Sequence, residues 1–289
     1  MIPRATAFLS FLIEREEIRL RKEAGLPRPW TKDKILNTYK FTNVRRENDR
    51  TSRAFAEFYK ANITEDTIRN SILLNCGIAR YFGTSEFLLS LGWQDTFDED
   101  RIINHARERI AKRERVFTGA YVITNQGISA PKEYVVTHYF LKGLWEAADD
   151  IIFRQDFTNH WESFIERLML VEGFGGSGFM AKEVTLDYIM ATGWEPTDFN
   201  EWSPSGPGAR RGAARVMGID DPLSREGMSY FRSAEKTLDL MRELFTLLRG
   251  QWPVSFAALR LTDIQFQLCE FDKYERVRLG QGKPRSRYR

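Results

Sequence analysis

The stretch VEGFGGSGFMAKEV, Val171 to Val184, sets Gly173, Gly175, Gly176 and Gly178 around Ser177, a density that lets backbone N–H groups close on a phosphate. That phosphate belongs either to a nucleotide cofactor or to a nucleic-acid strand. GFGGSG matches the dinucleotide pattern G-x-G-x-x-G, which works only when a strand delivers the pyrophosphate to the following helix. The preceding HWESFIERLMLVE has helical periodicity and carries acids, so that reading is set aside. A P-loop needs lysine followed by serine or threonine, whereas Lys182 is followed by Glu183. What remains is a helix, a glycine turn and a second helix. Such a turn either offers its N–H groups to a DNA phosphate, helped by the helix dipole, or lets two helices pack closely. The residues alone leave both open.

Charge supplies a second signal. NVRRENDRTSR gathers Arg45, Arg46, Arg50 and Arg53, and KYERVRLGQGKPRSRYR carries seven Lys or Arg against one acid. Such clusters attract polyanions, although the chain's net charge of +3 is mild and solvated helix faces read the same way. His105, His138 and His160 are scattered without ligand spacing and read as structural. Cys76 and Cys269 lie far apart, which argues against a metal centre or a disulfide framework and suits a reducing setting. No apolar run is long enough to cross a membrane, and the apolar start runs into charged helix without a cleavage site.

These residues need elements to carry them, and helix signals dominate. TAFLSFLIEREEIRLRKEAG steps Phe8, Phe11 and Leu12 at helical spacing and stops at Gly25. The prolines of LPRPWTKDK interrupt, and Thr31 is placed to cap the next helix. TSRAFAEFYKA, DTIRNSILLNCGIARYF, TSEFLLSLGW, DRIINHARERIAKRERV and EYVVTHYFLKGLWEAADDII read as helices, while GAYVITNQG alone has strand character. After the glycine turn, GFMAKEVTLDYIMATG reads as a helix and EPTDFNEWSPSGPGARRGAARVMG as a Pro/Gly-rich loop. REGMSYFRSAEKTLDLMRELFTLLRG and SFAALRLTDIQFQLCEFDKYERV are two further helices, and 280–289 is expected to be a flexible basic tail. The expected fold class is all-α: about ten helices in a single helical catalytic domain, 1–289, continuous or in two packed lobes.

Five stretches have a residue order more specific than periodicity. GLPRPWTKDKILNTYKFTNVRRENDRTSR, FTGAYVITNQG, GFGGSGFMAKEV, GPGARRG and LCEFDKYERVRLGQGKPRSRY together resemble the phage α-glutamyl/putrescinyl-thymine pyrophosphorylase family, the amino acid:DNA transferases. The resemblance touches nearly the whole chain, from Phe8 to Tyr288. That family is similar to the helical domain of phage 5-hydroxymethyluracil DNA kinases and, more distantly, to helix-hairpin-helix DNA glycosylases. The resemblance implies a DNA glycosylase-like helical fold with the glycine hairpin at 173–178. It implies DNA containing pyrophosphorylated hydroxymethyluracil as a partner, an amino acid (glycine or glutamate) or a polyamine such as putrescine as co-substrate, and pyrophosphate as product. The expected place of action is the cytoplasm of the infected bacterial host; no cofactor is named, and a divalent cation stays open. Against the glycosylase pattern, Ala181 matches the alanine after the hairpin and Asp198 falls where those enzymes carry an aspartate. Phe179 stands where some of them carry a nucleophilic lysine, with Lys182 offset around the helix, which argues against lyase chemistry. A glycosylase acting on a modified base and a noncatalytic DNA-binding module are the alternatives.

The implied displacement at a base's exocyclic methylene sets three needs. Charge on the departing pyrophosphate calls for arginine forks, and Arg45, Arg46, Arg50, Arg210 and Arg211 are candidates. The attacking amine must lose a proton, for which Asp49, Asp198, Glu270 and Asp272 are candidates. An extruded base needs aromatic and amide partners, and Trp30, Phe41, Asn43, Tyr121, Asn125 and Trp202 are available. Catalysis is therefore assigned to Asp49, Arg46, Asp198 and Lys182, with Lys273 added to the substrate-binding residues. DNA contacts are assigned to Gly173, Gly175, Gly176, Ser177, Gly178, Lys283 and Arg285. The arginines are expected to share one cavity. Direct displacement and an intermediate methide are both compatible with these residues.

Overall fold

The computed structural model describes residues 2–284 and 286–288. In chain order its α-helices are α1 (Ala5–Glu23), α2 (Lys34–Thr38), α3 (Arg50–Asn62), α4 (Arg69–Phe82), α5 (Ser85–Leu91), α6 (Glu99–Ala111) and α7 (Lys132–Tyr134). A π-helical segment, Val135–Leu141, then leads into α8 (Lys142–Thr158). After it come α9 (Trp161–Leu168), α10 (Phe179–Thr192), α11 (Pro207–Val216), α12 (Gly227–Arg232), α13 (Ala234–Arg249) and α14 (Leu261–Arg278). The fold is all-α, as expected. GAYVITNQG forms no strand; an isolated antiparallel bridge between Tyr39 and Arg287 is the β-type pairing among the described residues.

The chain forms two compact units, one made of the residues up to Asp49 and from Phe199 onward, the other of Arg50–Asp198. In the first, Phe8 and Phe11 of α1 meet Phe271 of α14 edge to face at 5.3 and 5.5 Å, and Leu240, Met241 and Leu244 of α13 are buried in the same core. The stretch expected to be a Pro/Gly-rich loop contains α11. Pro207 sits in its first turn, where the missing N–H costs nothing. A Cβ on Gly212 would fall 2.0 Å from the Leu268 carbonyl oxygen, so α11 meets α14 along its glycine face. GPGARRG is thus a helix-crossing motif. The expected helix REGMSYFRSAEKTLDLMRELFTLLRG is divided at Ser233, whose hydroxyl caps α13 through the Lys236 N–H.

In the second unit, α4 is buried along nearly its whole length, from Ser71 to Phe82. It packs against α8 and α10. Phe82 stacks between Phe87 and Phe117 at 3.9 and 5.2 Å. The segment 117–127 is a loop fastened to the end of α4: Thr118 N–H donates to Phe82 (2.8 Å), and the Tyr121 hydroxyl donates to the Arg80 carbonyl.

The described end of the basic tail does not hang free. Lys40 N–H donates to the Ser286 carbonyl and Tyr288 N–H to the Thr38 carbonyl, both at 3.0 Å. The Trp30 and Tyr288 rings meet at 5.3 Å. Backbone pairing and the ring contact together set this end against α2, a departure from the expected flexible tail.

Candidate functional site

In the first unit, the segment 41–49 is fixed by buried side chains from two helices. Arg15 of α1, 2% exposed, donates to the carbonyls of Phe41 (2.7 Å) and Thr42 (3.3 Å). From α14, Glu270 accepts from the Thr42 N–H and hydroxyl, each at 3.2 Å, and Gln267 donates to the Asn43 carbonyl at 2.8 Å. Asp49 closes the loop by accepting from the Asn43 N–H at 3.1 Å. With its backbone satisfied in this way, the segment presents its side chains from a rigid base.

Those side chains carry charges of both signs. Arg46 lies 2.9 Å from Asp49, with its guanidinium 5.2 Å from the Phe266 ring centre. Arg45 pairs with Glu47, which Arg260 also holds at 2.5 Å. Lys273 Nζ is 2.5 Å from Glu270. Burial pushes the Asp49 carboxyl above its ordinary range, while Arg46 draws it back down. A phosphate entering here can take an arginine fork from its carboxylate, and the carboxylate so released is a proton acceptor.

The expected union of all the arginines does not form. Glu270 and Asp272 are two residues apart on α14, which at about 100° per residue turns them to opposite faces. Glu270 faces the 41–49 segment, whereas Asp272 pairs with Arg211 (3.0 Å) and Arg215 (3.3 Å) of α11. Arg210 donates to the carbonyls of Ser205 (2.8 Å) and Phe231 (3.0 Å), a structural role. Helix α14 therefore stands between the two arginine groups. A cavity of about 1040 Å³ in this unit is lined by Phe11, Trp30, Phe271 and Tyr274 with Arg4, Arg21 and Arg278. Of the sequence candidates among the described residues, Trp30 alone reaches it. Phe41 is buried, the Asn43 amide donates to the Asn48 carbonyl, Trp202 is partly buried and Lys283 is exposed. Arg285 lies outside the described residues.

In the second unit, α9, the turn 169–178 and α10 give the helix, glycine turn and helix read from the sequence. Gly173 has φ +93°, and a Cβ there would meet the Phe140 ring at 2.4 Å, so this position requires glycine. Gly175 and Gly176 are exposed, Ser177 is half-buried, and Gly178 precedes α10 with φ +71°. Asp198 is spent on structure: its two oxygens accept from the N–H groups of Trp161 (2.7 Å) and Glu162 (3.0 Å), capping α9. The Asn125 amide staples its own loop through the Ala130 carbonyl at 2.7 Å, and the Tyr121 ring rests on Phe179. Arg50 is exposed at the start of α3.

Lys182 is 1% exposed and belongs to a buried charge cluster that sequence reading missed. Arg80 of α4 bonds Asp187 through Nε (2.7 Å) and Nη2 and meets Glu183 at 3.1 Å; Tyr59 of α3 donates to Asp187 at 2.9 Å; Lys182 lies 3.9 Å from Glu183. Burial pushes Asp187 and the Cys76 thiol upward, with Arg80 opposing in both. The signal was in the sequence: Glu183 and Asp187, four residues apart, share one face of a helix rich in apolar residues, and Arg80 interrupts another such helix.

Comparison with known proteins bears on this arrangement. Residues 3–283 match the family described as the 5-hmdU DNA kinase, helical domain. The chain belongs to that family. A curated relative, the 5-hmdU DNA kinase of Bacillus phage SP10, is 27% identical over an alignment of 282 residues that covers 91% of this chain and 43% of that protein. This helical-domain chain thus spans less than half the length of the relative it matches. No solved structure matches. The expected kinship with the kinases' helical domain is found, and among the described residues no helix is long and apolar enough to cross a membrane.

Proposed function

We propose that this chain modifies thymine-derived bases in phage DNA, replacing the pyrophosphate of a pyrophosphorylated 5-hydroxymethyluracil with an amine. Kinship with a protein named 5-hmdU DNA kinase supports a role in chemistry on that base. The observation that carries the reading is the Arg46–Asp49 pair on its rigid base. In the proposed reaction the amine nitrogen bonds to the exocyclic carbon as the carbon–oxygen bond breaks. The electron pair leaves with pyrophosphate, which takes the Arg46 fork. Asp49, parted from the cation that holds its pKa down, then accepts the amine's proton. Arg45 and Lys273 add positive charge nearby, and the glycine turn of the second unit is proposed to contact a DNA phosphate. A divalent cation is compatible with the pyrophosphate leaving group, and the proposed setting is the infected bacterial cell.

The test is incubation with DNA bearing pyrophosphorylated hydroxymethyluracil and a panel of amino acids and polyamines, followed by nucleoside mass analysis. An amine adduct and free pyrophosphate are expected; no pyrophosphate release with any amine defeats the reading. A second reading, a noncatalytic DNA-binding module, is favoured by the match to a helical domain that makes up part of a longer relative. Binding without turnover on that substrate would select it.

A further inference from the structure

Most arginines with described polar contacts in the first unit face carboxylates, as Arg19 faces Glu16 and Glu23, Arg46 faces Asp49, and Arg211 faces Asp272. Around the Trp30–Tyr288 contact the pattern changes. Lys22 Nζ lies 5.5 Å from the Trp30 ring centre and 5.1 Å from that of Tyr288, and Lys40 Nζ lies 5.8 Å from Tyr288. Arg287 covers the Tyr39 ring at 5.2 Å. Lys22, Lys40 and Arg287 are exposed. A ring attracts a cation through its quadrupole and leaves the net charge intact, unlike a carboxylate. Like charges converging on one ring repel one another, and an anion placed among them relieves that repulsion.

We propose that this basic–aromatic cluster is a docking site for the phosphodiester backbone of DNA, with Lys22, Lys40 and Arg287 contacting successive phosphates. Charge complementarity selects the occupant: a repeating polyanion meets several cations at once, which one small anion does not. The backbone pairing of Ser286 and Tyr288 with residues 38–40 sets the cluster before DNA arrives, so little ordering entropy is lost on binding. The inference rests on the DNA-acting reading above but requires no chemistry at the base.

The test measures binding of unmodified duplex DNA across a salt series for the full chain and for the double variant Lys22→Gln, Lys40→Gln. Both positions are exposed, and an unchanged circular dichroism melt confirms the fold. The expected result is affinity reduced on the order of tenfold and a log–log salt slope shallower by about two, since each phosphate contact releases about one counterion. Arg249→Gln, an exposed cation beside Phe245 elsewhere in the unit, serves as the control and leaves the slope unchanged. An unchanged slope for the double variant, or an equal loss for the control, overturns the proposal, as does a wild-type chain that binds no DNA. Binding that behaves as expected in a chain that transfers no amine would refute the transferase reading and leave this site standing.

Discussion

At the residue scale, the Arg46–Asp49 pair couples a phosphate ligand to a proton acceptor. Asp49 titrates above its ordinary value of 3.8 because burial disfavours its charge, while Arg46 opposes that shift. Removing the guanidinium in Arg46→Ala therefore raises the Asp49 pKa further, an outcome that carbon-detected NMR titration of the carboxyl would follow; a fall would refute the coupling. The stability linked to this proton is complete below 3.8 and is lost as pH rises through the folded pKa. The stability margin of wild type over Asp49→Asn should accordingly shrink with rising pH across that window and stay level near neutrality, as read by denaturant titration at each pH. In turnover, Arg46→Ala is expected to cost about a hundredfold, the loss typical of one donor to developing negative charge. DNA affinity, spread over many contacts, changes little. Equal loss of turnover and affinity would mean that the arginine merely positions DNA.

At the scale of elements, two motifs singled out in the sequence have structural work that the residue types disguised. The residue types of GPGARRG suggest a loop with phosphate-binding arginines, yet it is a helix whose glycine face meets α14. Gly212→Ala brings a methyl against the Leu268 backbone, which cannot yield like a flexible side chain. A destabilisation of about 1–3 kcal/mol is expected from such overpacking, measured by urea unfolding. Asp198 caps α9 from a distance, so Asp198→Ala should destabilise the protein by about 0.5–2 kcal/mol and speed hydrogen exchange at Trp161 and Glu162. Full activity with those faster amides would place Asp198 outside the chemistry. The element boundaries that eluded sequence reading have one cause: proline and glycine mark loops on average, but proline also opens helices and glycine also permits close helix crossings.

At the scale of the whole molecule, the basic tail joins stability to charge. Deleting residues 280–289 removes the Tyr39–Arg287 bridge and the Trp30–Tyr288 contact together with Lys283 and Arg287. Two effects are expected together: a melting temperature lower by about 2–4 °C, for a loss near 1 kcal/mol in a chain of this size, and a shallower salt dependence of DNA binding. A changed melt with an unchanged salt slope would confine the tail to a structural role.

The sequence by itself determined the all-α class, the helix–glycine turn–helix of 161–192 and the kinship with the 5-hmdU DNA kinase helical domain, because periodicity, glycine placement and residue order are properties of the chain before it folds. It also marked Arg46 and Asp49, three residues apart, as neighbours. Tertiary structure alone decided which charges meet. Glu270 and Asp272, adjacent in the sequence's logic, are parted by the pitch of α14; Arg80 and Asp187, far apart in sequence, are joined inside the second unit. Burial and helix rotation set those pairings, and neither is written in the types of the residues concerned.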